Sequence, residues 1–344
     1  MRVLILGGTG FIGQQIARRL VDCEHEVAVF HRGPLIAHLP GGVSVIQGDR
    51  NALERSLDDF RRFRPDVVVD VIAFTQRQAA WFVDTFRGII KRAVVLSSGD
   101  VYRANDILFA RAVGEIESTP LVESSPLRER LYPYRGLSIP HAYGINWDEY
   151  DKILVERVVL GDGDLPVTVL RLPMVFGPGA PDAARRRFFP YLKRMDDGRP
   201  AILLDVRTAR WRAPWGYSGD VGEAVRLIVE HDRAAGEIYN VGDPDGLSLE
   251  SWIQELARVV GWTGQIVAVD ETCPPPSFPR TLNLDQHLDM DTSKIRRELG
   301  YRERVSRREA LVKTVAWDRE HPPDSIDPTH FDYRAEDAIL RRAP

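Results

Sequence analysis

Short apolar runs alternate with amphipathic stretches along the first half of the chain. Five runs rich in Val, Ile and Leu lie at residues 2–6, 26–30, 44–46, 67–71 and 93–96. Such runs are typical of parallel strands that are buried on both faces. Stretches with helical spacing of apolar positions lie between them, at residues 13–22, 52–63 and 76–86. This order predicts an α/β fold with a doubly wound parallel sheet.

The second half of the chain is more irregular. Two further strands are predicted at residues 167–170 and 237–240. Helical patterns lie at residues 187–194, 221–230, 249–260, 292–300 and 308–320. The proline-dense segment CPPPSFP, at residues 273–279, predicts an extended loop.

Composition excludes several classes of protein. Of the 344 residues, 44% are hydrophobic and 28% are charged, as in ordinary globular proteins. The net charge of −4 leaves no overall basic surface, so a nucleic-acid partner is not expected. Two cysteines and eight scattered histidines predict neither a disulfide framework nor a metal site. No apolar run is long enough to span a membrane, and we expect a cytoplasmic protein.

The segment VLILGGTGFIGQQIARRL carries the clearest chemical pattern. Its glycines stand between a predicted strand and a predicted helix, where glycine permits a tight turn and a close approach to a pyrophosphate. The pyrophosphate would then lie at the amide-rich positive end of the helix. Predicted dinucleotide contacts are therefore Gly7, Gly10, Phe11, Ile12 and Gly13.

The end of the second strand bears on the choice of cofactor. The sequence there is FHRG, without the acid that usually bonds the ribose hydroxyls of NAD. Arg32 is suited to a 2′-phosphate, which favours NADP over NAD, although it is alternatively a solvated loop charge. Asp49, in QGDR after the third strand, is a candidate acceptor for the adenine amino group.

Five motifs follow one another in a recognisable order: GGTGFIG, QGDR, SSGDVY, RLPMVFGPG and DTSKIRRELGY. This order resembles the extended short-chain dehydrogenase/reductase family, and within it the nucleotide-sugar epimerases and dehydratases. The resemblance implies a Rossmann-type domain over residues 1–172, to which a strand near 237–240 returns. It also implies a smaller, partly interleaved C-terminal domain over residues 173–344 that binds substrate.

The resemblance also implies catalytic positions. A serine after the fifth strand corresponds to Ser98, with Ser97 on the cofactor side, and Pro173 would touch the nicotinamide end. A lysine that holds the nicotinamide ribose and lowers the pKa of a catalytic tyrosine corresponds to Lys152, which Glu156 follows at the spacing of the family. The tyrosine itself should stand four residues before the lysine, but that position is Asp148.

The missing tyrosine leaves three interpretations open. Asn146-x-x-Glu149 predicts a helix start, so Tyr143 would lie in the incoming loop and supply the hydroxyl from there. Asp148 beside Lys152 is the second candidate base, and loss of the chemistry is the third possibility. Tyr150 would lie about 200° around the helix from Lys152, and we expect it to pack or to face solvent. We rank Tyr143 first because an aspartate beside a lysine is a weak base.

On the substrate side, DVRTARWRAPWGYSGD carries arginines and tryptophans. Arg212 is the candidate for a diphosphate and Trp211 for stacking on a base or sugar, with Arg210 and Trp215 as alternatives. The basic run AARRRFFPYLKR is either a phosphate contact or a solvated face.

These patterns predict an NAD(P)-dependent epimerase, dehydratase or reductase that acts by hydride transfer on a nucleotide-linked sugar or a related hydroxylated small molecule. The alternative is a non-catalytic regulatory or RNA-binding protein that binds NAD(P) and has a degenerate reductase site. A homodimer is expected from the resemblance alone.

Overall fold

The computed structural model describes residues 1–33, 39–112, 114–137, 145–181, 186–269 and 281–342. The strands in this part of the chain are β1 (Arg2–Leu6), β2 (Glu26–His31), β3 (Ser44–Gln47), β4 (Val67–Asp70), β5 (Arg92–Ser98), β6 (Val167–Leu172), β7 (Met174–Phe176), β8 (Ala201–Asp205), β9 (Trp215–Tyr217), β10 (Ile238–Asn240) and β11 (Gln265–Val269). The helices are α1 (Phe11–Asp22), α2 (Leu57–Phe63), α3 (Gln76–Phe86), α4 (Arg103–Leu108), α5 (Lys152–Leu160), α6 (Phe189–Asp196), α7 (Val206–Arg210), α8 (Ser218–Glu230), α9 (Leu249–Val260), α10 (Ser293–Leu299), α11 (Arg307–Glu320) and α12 (Tyr333–Leu340).

Seven of these strands form one sheet in the order β10-β6-β5-β4-β1-β2-β3. All the pairings are parallel. The order reverses between β1 and β4, and ligands of such sheets bind outside the carboxyl ends of the strands at this switch point. The predicted fold class, a Rossmann-type doubly wound sheet, is confirmed.

Helices cover both faces of the sheet because its central strands are apolar on both sides. Val3 and Ile5 of β1 face the side where α1 and α8 pack, whereas Leu4 and Leu6 face the side of α3 and α5. A third hydrophobic cluster is rich in aromatic rings and is formed mainly by the second half of the chain, including residues of β9, α6 and α9. Two small parallel pairs, β7 with β9 and β8 with β11, complete this part.

Helix α8 approaches α1 very closely, although more than 200 residues separate their starts. Gly222 makes this possible, because a Cβ there would lie 2.8 Å from the backbone oxygen of Gln15. Arg19 of α1 donates to Glu223 of α8 at 2.5 Å. The strand β10 then pairs with β6, so the chain returns to the sheet after α8.

Candidate active site

A cavity of about 310 Å³ opens at the carboxyl ends of β1, β4, β5 and β6. Nine residues proposed from the sequence line it, from the glycine loop, the end of β5, the start of α5 and the exit of β6. They are Gly7, Gly10, Phe11, Ile12, Gly13, Ser97, Ser98, Lys152 and Pro173. The fold thus brings together segments that lie far apart in the sequence.

The glycine loop has the geometry of an anion cradle. Gly7 has a φ of +86°, and a Cβ on Gly13 would lie 2.2 Å from the oxygen of Gly7. Helix α1 begins beyond Gly10 with no side-chain cap and no acid in its first turn. Its first amides and its positive end are therefore available to a phosphate group. These residues fit the pyrophosphate of a dinucleotide.

Lys152 is the first residue of α5 and is only 4% exposed. Its Nζ donates to the carbonyl oxygens of Ala73 and Leu96, each at 2.7 Å, and lies 4.8 Å from the ring centroid of Phe74. Burial lowers the pKa of Lys152 from 10.5 to about 8, against the opposing attraction of nearby carboxylates. Lys152 is therefore a buried cation at the cavity wall and not an exposed lysine paired with Glu156.

Because the pKa of Lys152 lies at about 8, its positive charge is present below that pH and is lost above it. We therefore expect the affinity for a nicotinamide dinucleotide to fall as the pH rises through about 8, and NADPH is a suitable probe. Fluorescence titration of NADPH at a series of pH values measures this step. In Lys152→Met the fall in affinity near pH 8 should vanish. A wild-type affinity that does not change with pH would contradict a role for the Lys152 charge in dinucleotide binding.

The two serines at the end of β5 have different surroundings. Ser97 is buried and donates to Oε1 of Glu156 at 2.5 Å. Glu156 also receives two hydrogen bonds from Arg171, at 3.1 and 2.8 Å, so this carboxylate belongs to a buried ion pair. Ser98 lines the cavity, and its Oγ accepts a hydrogen bond from the backbone of Asp100 at 3.2 Å.

The predicted start of the catalytic helix near Asn146 is wrong. Helix α5 begins at Lys152, and Asp151 caps it by accepting from the backbone N–H of Ile153 at 2.9 Å. Tyr150 therefore precedes the helix, in a short bridge with Thr75, and the angular argument that separated it from Lys152 does not apply. Tyr150 is buried, as one of the expectations for it stated, and it lines the same cavity as Lys152.

The two candidate replacements for the tyrosine are placed differently. Tyr143 lies outside the described residues. Asp148 is exposed, and its Oδ1 accepts from the backbone N–H of Gly136 at 2.8 Å. Within the described part of the chain, Asp148 is not among the residues that line the cavity.

The sequence model of the NAD dependent epimerase/dehydratase family matches residues 3–126 and 148–242, which together make up more than half of the chain. The chain belongs to this family. This chain is 28% identical to 2'-dehydrokanamycin reductase of Streptomyces kanamyceticus over 268 aligned residues. The alignment covers 76% of this chain and 67% of the relative. The chain is 25% identical over 343 residues to UDP-N-acetyl-alpha-D-glucosaminuronate decarboxylase of Bacillus cytotoxicus, over 93% and 98% of the two chains.

The fold of this epimerase/dehydratase family member is also seen in the Bordetella bronchiseptica enzyme WbmG, solved in complex with NAD and UDP. The TM-score is 0.68, with 20% identity over 93% of this chain and 96% of the other. The family member is accordingly an NAD(P)-dependent enzyme of the epimerase, dehydratase and reductase type. The family and the two enzymes above favour this interpretation over the alternative of a non-catalytic regulatory or RNA-binding protein.

Four other residues that the sequence predicted to contact cofactor or substrate do not line the cavity in the described part of the chain. Arg32 and Asp49 are exposed at the ends of β2 and β3, and Asp49 accepts from the backbone of Asn51 at 2.9 Å. Trp211 is buried, and its indole donates to the oxygen of Gln286 at 3.0 Å. Arg212 pairs with Asp289 at 3.2 Å.

Several lining residues were not proposed from the sequence. Phe74, Trp147 and Tyr150 supply aromatic surface, and Arg187 supplies a cation. The basic run AARRRFFPYLKR includes Arg187, but the spacing of its arginines did not indicate which of them lines the cavity. Arg186, the residue before it, is buried and packs on Trp317 at 4.5 Å.

Neither a metal centre nor a membrane segment is found in the described ranges. No group of three His, Cys, Asp or Glu side chains among these residues has an arrangement that could hold a metal ion. No helix in the same part of the chain combines the length and apolar character that crossing a bilayer requires.

Proposed function

We propose that this enzyme uses NADP to move a hydride to or from a carbon that bears a hydroxyl or carbonyl oxygen, on a nucleotide-linked sugar or a related hydroxylated molecule. One observation carries the proposal: a single cavity is lined by the glycine loop, the β5 serines and the buried Lys152. When bound, the nicotinamide would supply or accept the hydride. The chain's own residues would bind the cofactor, orient the substrate and move protons.

Each lining residue has a proposed role in this scheme. The amides of Gly10, Phe11 and Ile12 hold the pyrophosphate at the positive end of α1. Lys152, whose Nζ already bonds two carbonyl oxygens, gives its third donor position to a ribose hydroxyl. Ser98 donates to the reacting oxygen of the substrate, and Pro173 borders the nicotinamide. Tyr143, the source of the proton predicted from the sequence, lies outside the described residues and takes no role in this scheme.

The substrate class is supported by the printed names of relatives. One relative is named for a UDP-linked amino sugar acid and a structural neighbour was solved with UDP. The other relative is named 2'-dehydrokanamycin reductase, which extends the class to molecules without a nucleotide in their name. For a nucleotide substrate, we propose that Arg212 contributes to binding and that the cavity cation Arg187 meets a phosphate. Trp211 is not proposed as a stacking residue, because it is buried and its indole bonds the oxygen of Gln286.

The test is to titrate the purified protein with NADP(H) and NAD(H), followed by turnover assays. The substrate panel contains UDP-, GDP- and dTDP-sugars together with oxidised aminoglycosides, assayed with both cofactors and in both directions. Saturable dinucleotide binding and turnover of one panel member are expected. Folded protein that binds neither dinucleotide would overturn the proposal.

Arg32→Asp is expected to reverse the preference for NADP. The guanidinium at the end of β2 would lose its charge-assisted contact with the 2′-phosphate, worth about 1.5–3 kcal/mol. The affinity for NADP should therefore fall by about 10- to 100-fold, while NAD binding is retained. Dissociation constants for both cofactors measure the effect, with Arg61→Asp on α2 as a control for surface charge. Equal losses for NADP and NAD would remove Arg32 from the specificity site.

Three expectations from the sequence remain proposals. The protein would form a homodimer, which light scattering at several concentrations would test. It would act in the cytoplasm, and its substrate-binding part would correspond to residues 173–344.

A further inference from the structure

We propose that Tyr150 and Asp100 act together as the group that exchanges a proton with the reacting oxygen. This inference rests on the proposed function and assigns a step within it. Tyr150 is the tyrosine that lines the cavity within the described ranges, and it stands two residues before Lys152. Tyr150 and Asp100 together would replace the catalytic tyrosine that the family places four residues before the lysine.

Aromatic contacts fix the phenol of Tyr150 beside the lysine. Its ring stacks on Phe74, with centroids 6.2 Å apart and an interplanar angle of 25°. The Nζ of Lys152 lies 4.8 Å from the centroid of the same Phe74 ring. Trp147 and Tyr134 pack on Tyr150 at 5.4 and 5.1 Å. The phenol and the ammonium therefore both contact the Phe74 ring at the cavity wall.

A buried carboxylate stands behind the phenol. The hydroxyl of Tyr150 donates to Oδ2 of Asp100 at 2.9 Å, and Tyr134 donates to the same oxygen at 3.2 Å. The other oxygen, Oδ1, is buried without a hydrogen-bond partner among the described residues. The fully buried Arg128 holds this turn by donating to the backbone oxygen of Asp100 at 2.6 Å. Asp100 therefore has capacity to take a proton.

The charges around this pair explain why both members are needed. Burial raises the pKa of Asp100, while Arg128, the hydroxyl of Tyr150, Lys152 and the hydroxyl of Tyr134 act to lower it. Burial and the carboxylate raise the pKa of Tyr150 well above 10, so a free phenolate is not available there. Tyr150 can accept a proton only if it passes its own proton to Asp100.

In the oxidation direction, the hydroxyl proton of the substrate moves to the oxygen of Tyr150 while the phenolic proton moves to Oδ2 of Asp100. The C–H bond of the substrate would break as the C=O bond forms, and a bound oxidised nicotinamide would accept the electron pair as hydride. Asp100 ends protonated, and the two electrons lost by the substrate would reside on the nicotinamide. Reduction is the reverse, with Asp100 starting protonated.

Substitution of each member tests the assignment with whichever panel substrate turns over. Tyr150→Phe keeps the ring contacts and should lower kcat by about 100-fold, as general acid–base groups do, with NADPH binding retained. Asp100→Asn should have a similar effect. The matched control is Tyr239→Phe. The hydroxyl of Tyr239 donates to Glu298 at a distance of 3.0 Å, and neither residue lines the cavity among the described residues. Wild-type turnover in Tyr150→Phe, or loss only in Tyr143→Phe, would overturn the proposal.

The pH profile separates a proton-transfer role from a structural one. The oxidation rate should rise with pH as Asp100 loses its proton. Tyr134→Phe removes a hydrogen bond that lowers the pKa of Asp100, so the rising limb should move to higher pH. In Asp100→Asn this limb should be absent from the residual activity. An unmoved limb in Tyr134→Phe would show that Asp100 is not the titrating group.

A second measurement does not depend on turnover. Oxidised NADP brings a positively charged ring toward the pair, which should lower the pKa of Asp100 and release protons on binding. Calorimetry in two buffers with different ionisation enthalpies counts these protons, and NADPH serves as the comparison with a neutral ring. Asp100→Asn should release fewer protons than the wild type. An unchanged count with intact binding overturns only this inference, whereas absence of all dinucleotide binding overturns the proposed function itself.

Discussion

Lys152→Met is expected to lower kcat/KM by about 10³-fold, because it removes a preorganised cation from the cavity. The ammonium is held by two carbonyl oxygens at 2.7 Å and has little exposure to solvent. Methionine preserves much of the packing volume but offers no donor to a ribose hydroxyl and no charge near the reacting oxygen. Steady-state kinetics and NADPH titration would show both losses.

The control for this substitution is Lys91→Met. Lys91 is an exposed lysine, 3.8 Å from Asp66, and it does not line the cavity within the described residues. Its variant should keep wild-type kinetics. If Lys152→Met also kept them while remaining folded, the buried lysine would have no part in the reaction.

Gly13→Ala should destabilise the protein by about 3 kcal/mol and abolish dinucleotide binding, as overpacking against rigid atoms does. A Cβ at this position would lie 2.2 Å from the oxygen of Gly7 and 2.7 Å from the Cα of Gly8. Both are backbone atoms, so no side-chain rotation relieves the contact. The loop must move, and with it the amides that would bind the pyrophosphate.

Gly10→Ala is the matched comparison within the same loop. The nearest atom to a Cβ there is the oxygen of Gly7 at 3.6 Å, an ordinary van der Waals distance. This variant should keep the stability of the wild type in urea unfolding while binding NADPH more weakly, because its methyl group enters the cavity. Equal unfolding midpoints for the two variants would contradict the close contact at Gly13.

The sequence was sufficient for the sheet and for the glycine loop. Both depend on patterns that are local in the chain, namely continuous apolar runs and glycines at fixed spacing between a strand and a helix. The residues of Gly7–Gly13 and the strands β1 to β6 and β10 were predicted for this reason. Lys152 was found through its spacing from Glu156, although Glu156 bonds Ser97 and Arg171.

The proton-transfer region was not predictable in the same way. Tyr150 was excluded on a helical angle, and the helix begins only at Lys152 because Asp151 caps it. Asp100 was not proposed from the sequence, since nothing local shows that two tyrosines from a distant segment donate to it. Burial and partners of this kind arise from tertiary packing, which the spacing of residues does not encode.

The return of the chain to its first sheet limits how this enzyme can be re-engineered. Since α8 packs on α1 and β10 extends the sheet beside β6, a fragment cut after β6 would expose apolar surface and an unpaired strand edge. New substrate specificity therefore cannot be introduced by exchanging everything beyond a single crossover point. A chimera would have to replace internal segments only, with both ends of each graft joined to the parent framework.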